Sequence, residues 1–172
     1  MIRQSTGRRS LVVLFAVLCI IVCVGADVPT VNLASMDRVG PRPLEQQTQT
    51  SVIRNYLEAW GVMNAAFQRD EPALLDAYFI GAARRKLGAT IHDQTGLNLQ
   101  TSYKDKSHDI RIVFYSPEGL SIELVDDVEY QVELRDHGSS IGSQSVHAKY
   151  IAVLTPTETR WKVRIFQSGG ST

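Results

Sequence analysis

Apolar residues recur every three or four positions in the first half of the chain, a spacing that predicts amphipathic helices. Between Ser51 and Phe67 they share one helix face, which comprises Ile53, Tyr56, Leu57, Trp60, Met63 and Phe67. The start signal Asp70-Glu71-Pro72, with Asp70 as a cap, predicts a short second helix. A third helix is predicted from Ala82 to Thr95, ending at Gly96.

Beyond the third helix the apolar period changes to two, which predicts half-buried strands. Four strands are expected, over His108–Ser116, Leu120–Leu134, Ser145–Leu154 and Arg160–Phe166. The turn after the first strand predicts a hairpin in which Ser116 faces Leu120, so that even positions pair with even positions. In the fourth strand Trp161, Val163 and Ile165 are expected to face inward, and Phe166 outward.

Helices with one apolar stripe and a sheet with one apolar face bury both surfaces by packing against each other. The patterns therefore predict an α+β domain, with three N-terminal helices packed on a curved antiparallel four-stranded sheet. Residues 51–168 are expected to form this domain, and residues 169–172 a short tail. Residues 27–50, with three prolines and a polar run, are interpreted as a flexible linker.

The first 26 residues have the pattern of a targeting segment. An uncharged apolar stretch, Leu11–Val24, follows three arginines and precedes Gly25 and Ala26. It is a signal peptide cleaved after Ala26, or a retained membrane anchor. Both alternatives predict export, to a periplasmic or extracellular location or to the outer side of a membrane that only this segment contacts.

Charge and cysteine content exclude some classes of partner and of site. The chain has 18 basic and 18 acidic residues, and this balance argues against a nucleic-acid binder. Three arginines belong to the targeting segment, so the remainder has a net charge of −3. Both cysteines, Cys19 and Cys23, lie in that segment too. The exported part is therefore expected to have no disulfide, cysteine nucleophile or thiolate metal site.

The order of helices and strands resembles the NTF2-like (SnoaL-like) cone-shaped fold over about residues 50 to 168. The resemblance rests on Tyr56-Leu57 with Trp60, the segment 70–79, Leu87 with Ile91, and Trp161-Lys162-Val163. The ending RWKVRIF is also similar to the IMS-type domain of plastid-division proteins. Some NTF2-like proteins, such as ketosteroid isomerase, scytalone dehydratase and limonene epoxide hydrolase, are enzymes with acid-base residues in the mouth of the cone. A fold alone does not determine function.

The resemblance directs attention to ionisable residues on the apolar sheet face. Asp126 is the one polar residue among the even positions from Leu120 to Leu134. The hairpin register places Ile110 opposite Asp126 and His108 diagonal to it, within reach. A His-Asp pair at the rim of an apolar cavity suits general-base catalysis. Alternatively, Asp126 marks a strand bend and binds backbone amides there.

The expected ligand pocket is aromatic and contains Trp60, Tyr130, Tyr150 and Trp161, with either tyrosine a phenolic donor. No metal-ligand spacing is present, and the sequence indicates no cofactor. The preferred hypothesis is a non-catalytic module that binds a protein partner or an apolar small molecule, with a homodimer through the outer sheet face as a further hypothesis. The alternative is a small isomerase, dehydratase or hydrolase acting on an apolar substrate. An open cavity would favour the enzyme, and a filled one the module.

Overall fold

The computed structural model describes residues 28–34, 40 and 42–169; the predicted targeting segment lies outside this range. The elements in chain order are β1 (Thr30–Leu33), α1 (Gln46–Arg69), a 3₁₀ helix (Pro72–Ala77), α2 (Gly81–Gly96), β2 (Leu99–Tyr115), β3 (Ile122–Asp136), β4 (Ser139–Pro156) and β5 (Trp161–Gly169). The predicted α+β class is confirmed. Within the described residues, no helix combines the length and apolarity needed to cross a bilayer.

The first helix buries the face that its apolar spacing predicted, but it begins earlier than expected. α1 starts at Gln46, inside the stretch interpreted as a linker. Glutamine is a good helix former, and the first residues of α1 are largely exposed. These residues therefore belong to the helix but add no apolar position to the spacing that predicted where the helix begins.

The second helix differs in type from the prediction. Pro72–Ala77 forms a 3₁₀ helix, and Asp70 provides no N-terminal cap for it. Asp70 instead ends α1 in a left-handed conformation, with φ of 54° and its backbone N–H donating to the Ala66 carbonyl. Its carboxylate accepts hydrogen bonds from the side chains of Gln94 and Gln100.

The sheet is curved and contains five strands in the order β1-β2-β3-β4-β5, one more than predicted. β2 to β5 form the expected antiparallel meander, and β1 adds a parallel edge strand along Ser107–Ile110 of β2. β1 comes from the predicted linker, whose residues 30–33 are therefore part of the sheet. A strand of four residues is too short for a clear alternating pattern.

The predicted hairpin register is confirmed in the middle of the β2–β3 pair, where Ile110 faces Asp126. Towards the turn, the register shifts by one residue between Ile112 and Phe114. One extra residue reverses the side-chain alternation beyond it. Tyr115 is therefore buried, whereas Phe114, expected to face inward, is 40% exposed.

A second register shift, between β4 and β5, corrects the prediction for Phe166. Val163 pairs with Leu154 and Ile165 pairs with Val153, which leaves Arg164 as an extra residue on β5. Phe166 therefore points inward and is 8% exposed. Its ring contacts Trp60, Phe79 and Tyr150 in the core between the helices and the sheet.

Candidate functional site

The central feature of the site is a buried histidine–aspartate pair on neighbouring strands. The His108 Nδ1 atom on β2 lies 2.7 Å from the Asp126 Oδ2 atom on β3, and both side chains are 0% exposed. The structure thus brings together the two residues that the hairpin register placed on one diagonal.

Asp126 does not mark a bend. The β2–β3 and β3–β4 ladders run without a register shift through Asp126. Its carboxylate accepts hydrogen bonds from side chains, including one from the hydroxyl of Tyr56 on α1 at 2.9 Å. Burial, followed by the charge of Asp126, raises the pKa of Tyr56 well above 10. Tyr56 therefore stays protonated and donates.

Tyr56 was not predicted as a site residue, although it lies on the buried face of α1. It is separated from Asp126 by 70 positions in the sequence. The helix period shows that Tyr56 is buried, but the packing of α1 on the sheet decides what its hydroxyl meets.

A second carboxylate, Asp105, also reaches His108. The register of β2 with β3 shifts between Asp105 and Ser107, so Lys106 is an extra residue. Asp105 therefore faces the same side as His108, although its odd position would otherwise direct it outward. Its Oδ2 atom lies 3.9 Å from the His108 Nε2 atom, too far for a hydrogen bond, so it acts through its charge.

The two carboxylates determine the charge state of the histidine. Burial alone favours a neutral imidazole and lowers its pKa. The attraction of Asp105 and Asp126 outweighs this effect and raises the pKa of His108 from 6.5 to about 9. His108 is therefore a cation at neutral pH, held between two anions, and it is poorly suited to accept a proton as a general base.

The indole of Trp60 lies against the ion pair. Trp60 is 2% exposed, and its ring centroid is 5.3 Å from that of His108 in an edge-on arrangement. The same indole contacts the rings of Tyr130, Tyr150 and Phe166. Five buried polar atoms lack a hydrogen-bond partner in the described part of the chain: Trp60 Nε1, Asp105 Oδ1, His108 Nε2 and Asp126 Oδ1 in this cluster, and Arg135 Nε outside it. The interior beside the pair is filled here by aromatic side chains, the arrangement that would favour the module over the enzyme.

The four predicted pocket residues are not all brought together. Tyr130 is 7% exposed, and its hydroxyl lies 3.2 Å from that of Tyr150. Trp161 lies at the start of β5, where its backbone N–H donates to Asn55. A cavity of about 180 Å³ opens beside Tyr150, between the helices and the sheet. Its lining comprises Met63, Phe67, Lys86, Leu87, Thr90, Tyr103, Tyr150, Phe166 and Ser168.

Neither His108 nor Asp126 lines this cavity. Within the described residues, no group of three or more histidine, cysteine, aspartate or glutamate side chains could hold a metal ion.

On the outer sheet face, opposite charges pair across neighbouring strands. Asp127 lies 3.5 Å from Lys149 and 3.8 Å from Arg111. Glu129 lies 3.0 Å from Lys106. These side chains are partly exposed, and such pairs each contribute only about 0 to 1 kcal/mol.

Comparison with known proteins identifies the fold. No protein-family model and no curated protein sequence matches the chain significantly. Among solved structures, the intermembrane space region of the chloroplast protein ARC6 superimposes with a TM-score of 0.63 at 13% identity, over 76% of this chain and 100% of that one. The "Putative Scytalone Dehydratase" of Novosphingobium aromaticivorans gives a TM-score of 0.51 at 11% identity, over 74% and 91% of the two chains.

An NTF2-like superfamily protein from Salmonella enterica is also similar, with a TM-score of 0.49 at 13% identity, over 72% of this chain and 94% of that one. The fold is NTF2-like, as the order of elements predicted. At these identities the likeness extends to the fold alone.

Proposed function

We propose that the chain is an exported, non-catalytic NTF2-like domain that acts by binding a protein partner. The observation that supports this proposal is the enclosure of the His108–Asp126 pair, whose side chains are 0% exposed. A catalytic acid or base must reach its substrate within about 3 Å. With Trp60 packed on the histidine, no substrate atom reaches either side chain.

Two further observations favour a protein partner over a small ligand. The cavity beside Tyr150, which belongs to the predicted aromatic pocket, has a volume of about 180 Å³, below the roughly 300 Å³ at which small-molecule sites usually begin. Larger hollows of about 420 and 620 Å³ are open to solvent, and none of the four predicted pocket residues lines them. In the interior, His108 Nδ1 and Asp126 Oδ2 already bond to side chains of the same domain, and their unpartnered atoms, His108 Nε2 and Asp126 Oδ1, are buried beyond the reach of a ligand. The surface of the domain is therefore its most plausible binding region.

Export is supported by the pattern of residues 1–26, which lie outside the described part of the chain. The ARC6 region with the similar fold is, by its description, an intermembrane space region, which agrees with a domain outside the cytoplasm. Mass spectrometry of the mature protein tests this step: a chain starting at Asp27 would establish cleavage, whereas an intact Met1 would establish a retained segment.

The enzymatic alternative is favoured by one observation, the 2.7 Å contact between His108 and Asp126, with Tyr56 as a third member. In that case the chain would be a small isomerase, dehydratase or hydrolase acting on an apolar substrate. The alternative requires Trp60 to move away from the histidine before any substrate is bound. Protonation of His108 would then suit it as an acid rather than as a base.

Chemical modification of the full-length chain with diethyl pyrocarbonate tests the proposal, because this reagent attacks imidazoles that are neutral and accessible, and native His108 is neither. His92, His137 and His147 are exposed and serve as internal controls. We expect these three to be modified in the native protein, and His108 to react only after unfolding in urea. Modification of native His108 at the rate of the three controls would contradict the non-catalytic proposal.

A further inference from the structure

Within the part of the chain that the structure describes, the sheet has one long edge that is neither paired nor covered. β4 spans Ser139–Pro156, but β5 pairs with it only from Lys149 onward. The preceding ten residues, 139–148, pair with β3 on one side and have no strand on the other among the described residues. At about 3.3 Å per residue, this edge is roughly 33 Å long.

The other edges of the sheet show how this protein protects exposed strands. β1 has only four residues, and short edge strands resist unwanted pairing. The part of β2 that precedes its pairing with β1 contains Lys104 and Lys106. In the same part, the Tyr103 N–H donates to the Asn64 side chain of α1.

β5 is covered along its outer edge. The Val163 N–H donates to the Tyr78 carbonyl, and the Ile80 N–H donates to the Val163 carbonyl. A parallel bridge between Phe79 and Val163 accompanies these bonds. The segment 139–148 stands out because it has no comparable cover and contains no lysine, arginine, aspartate, glutamate or proline. Its one protective feature is a register shift at Ile141, near its beginning.

An edge of free N–H and C=O groups is recognised by an extended strand, which completes the hydrogen-bond ladder. We propose that this strand is the same segment of a second copy of the chain, so that two β4 edges pair antiparallel about a two-fold axis near Ser143. This inference deepens the proposed interaction role by naming one partner, and the two can fail separately.

Charge favours the second copy as the occupant. In an antiparallel pairing about Ser143, residues 139–147 face one another, and all of them lack a formal charge apart from a protonatable His147. Like charges directly opposite each other, which destabilise strand pairs, are therefore avoided. A two-fold interface must be complementary to itself, and an uncharged strand meets this requirement.

The apolar surface near this edge would also gain from pairing. Ile141 is 57% exposed. A cavity of about 420 Å³ lies on the inner sheet face beside it, lined by Thr101, Val132, Leu134, Gly142, Ser143 and Gln144. A second β4 would continue the inner face past these residues and reduce their contact with water.

Cysteine cross-linking in the producing cell tests the pairing directly. The full-length chain is used with Cys19→Ser and Cys23→Ser, so that each variant has one cysteine. Ser143→Cys brings the two sulfurs together at the proposed axis, where opposed Cα atoms lie about 4.5 to 5.5 Å apart, within disulfide range. Gln167→Cys, at an exposed position on β5, is the matched control.

We expect mild oxidation to convert most of the Ser143→Cys chain to a covalent dimer, at least fivefold more than Gln167→Cys. Sedimentation of the purified full-length chain should show a dimer that Ser143→Lys converts to monomer, while Gln167→Lys leaves it unchanged. Equal cross-linking of both cysteines, or a chain that stays monomeric at tens of micromolar, would overturn the proposal. A monomer whose native His108 resists diethyl pyrocarbonate would overturn the dimer and leave the non-catalytic proposal intact.

Discussion

Substitution of Asp126 by asparagine distinguishes a structural ion pair from a catalytic one. The change keeps the shape of the side chain but removes the charge opposite His108. It leaves the histidine buried, with Asp105 as its remaining anion and an uncharged amide in place of the carboxylate 2.7 Å away. We expect the variant to fold with a lower free energy of unfolding.

The magnitude follows from the pKa of the histidine. Each pKa unit corresponds to about 1.4 kcal/mol, so the elevation of the His108 pKa from 6.5 to about 9 corresponds to about 3 kcal/mol. Because the pKa is raised in the folded state, this stabilisation is fully present below pH 6.5 and is lost as the pH rises through 9. At pH 6, loss of Asp126 should therefore lower the free energy of unfolding by up to about 3 kcal/mol, with Asp105 retaining part of the stabilisation.

Urea unfolding of wild type and Asp126→Asn at pH 6, 7.5 and 9.5, followed by circular dichroism, measures this difference. The gap between the two proteins should be largest at pH 6 and smallest at pH 9.5. Asp127→Asn is the matched control, because Asp127 is the next residue on β3 but its side chain is 29% exposed on the outer face. Its effect should stay below about 1 kcal/mol at each pH.

A urea midpoint of Asp126→Asn equal to that of Asp127→Asn throughout this pH range would contradict a stabilising role of the pair. In that case the buried charges would contribute nothing to stability. A ligand-dependent turnover that disappeared in such a stable variant would then support the enzymatic alternative.

Three further predictions test the packing of the core and the conformation of a turn. Trp60→Ala should lower the free energy of unfolding by about 3 to 5 kcal/mol in the same urea assay, because the indole is 2% exposed; a loss below about 1 kcal/mol would show that the indole contributes little to the packing around the pair. In the same urea assay, Phe166→Ala should lower the free energy of unfolding by about 3 to 5 kcal/mol, and Phe114→Ala by less than about 1 kcal/mol. The reason is that register shifts turn the Phe166 ring inward and the Phe114 ring outward; equal losses would contradict this assignment. Gly119→Ala should lower the free energy of unfolding by about 1 kcal/mol or more, because Gly119 has φ of 75° and a Cβ there would lie 2.9 Å from the Arg42 side chain. A Cβ at Gly142 would meet no atom within 4 Å, so Gly142→Ala should lower the melting temperature less than Gly119→Ala does.

Much of the fold could be predicted because the two apolar periods report which face of each element is buried. The period of three and four located α1 and α2, and the period of two located the meander. The hairpin turn then determined the register between β2 and β3, and with it the proximity of His108 to Asp126. The prediction of the pair succeeded because pairing partners in a hairpin follow from the turn by counting.

The sequence pattern could not show the register shifts, because a bulge depends on what its neighbours pack against and adds one residue without a distinctive composition. Three such shifts, at Lys106, Val113 and Arg164, decide that Asp105, Tyr115 and Phe166 face inward. The 3₁₀ form of the second helix and the short parallel strand β1 were missed for a related reason. Both are held by tertiary contacts and lack a period long enough to read.

By itself, the sequence determined that this chain has an α+β domain with a histidine and an aspartate side by side on the apolar face of its sheet. Only the tertiary structure decided whether that pair is open to a substrate. Helix α1 packs across the sheet so that Trp60 covers His108 and Tyr56 donates to Asp126, two contacts between segments distant in sequence. The spacing of apolar residues shows that a side chain is buried, but the groups that it contacts depend on how the helices pack on the sheet.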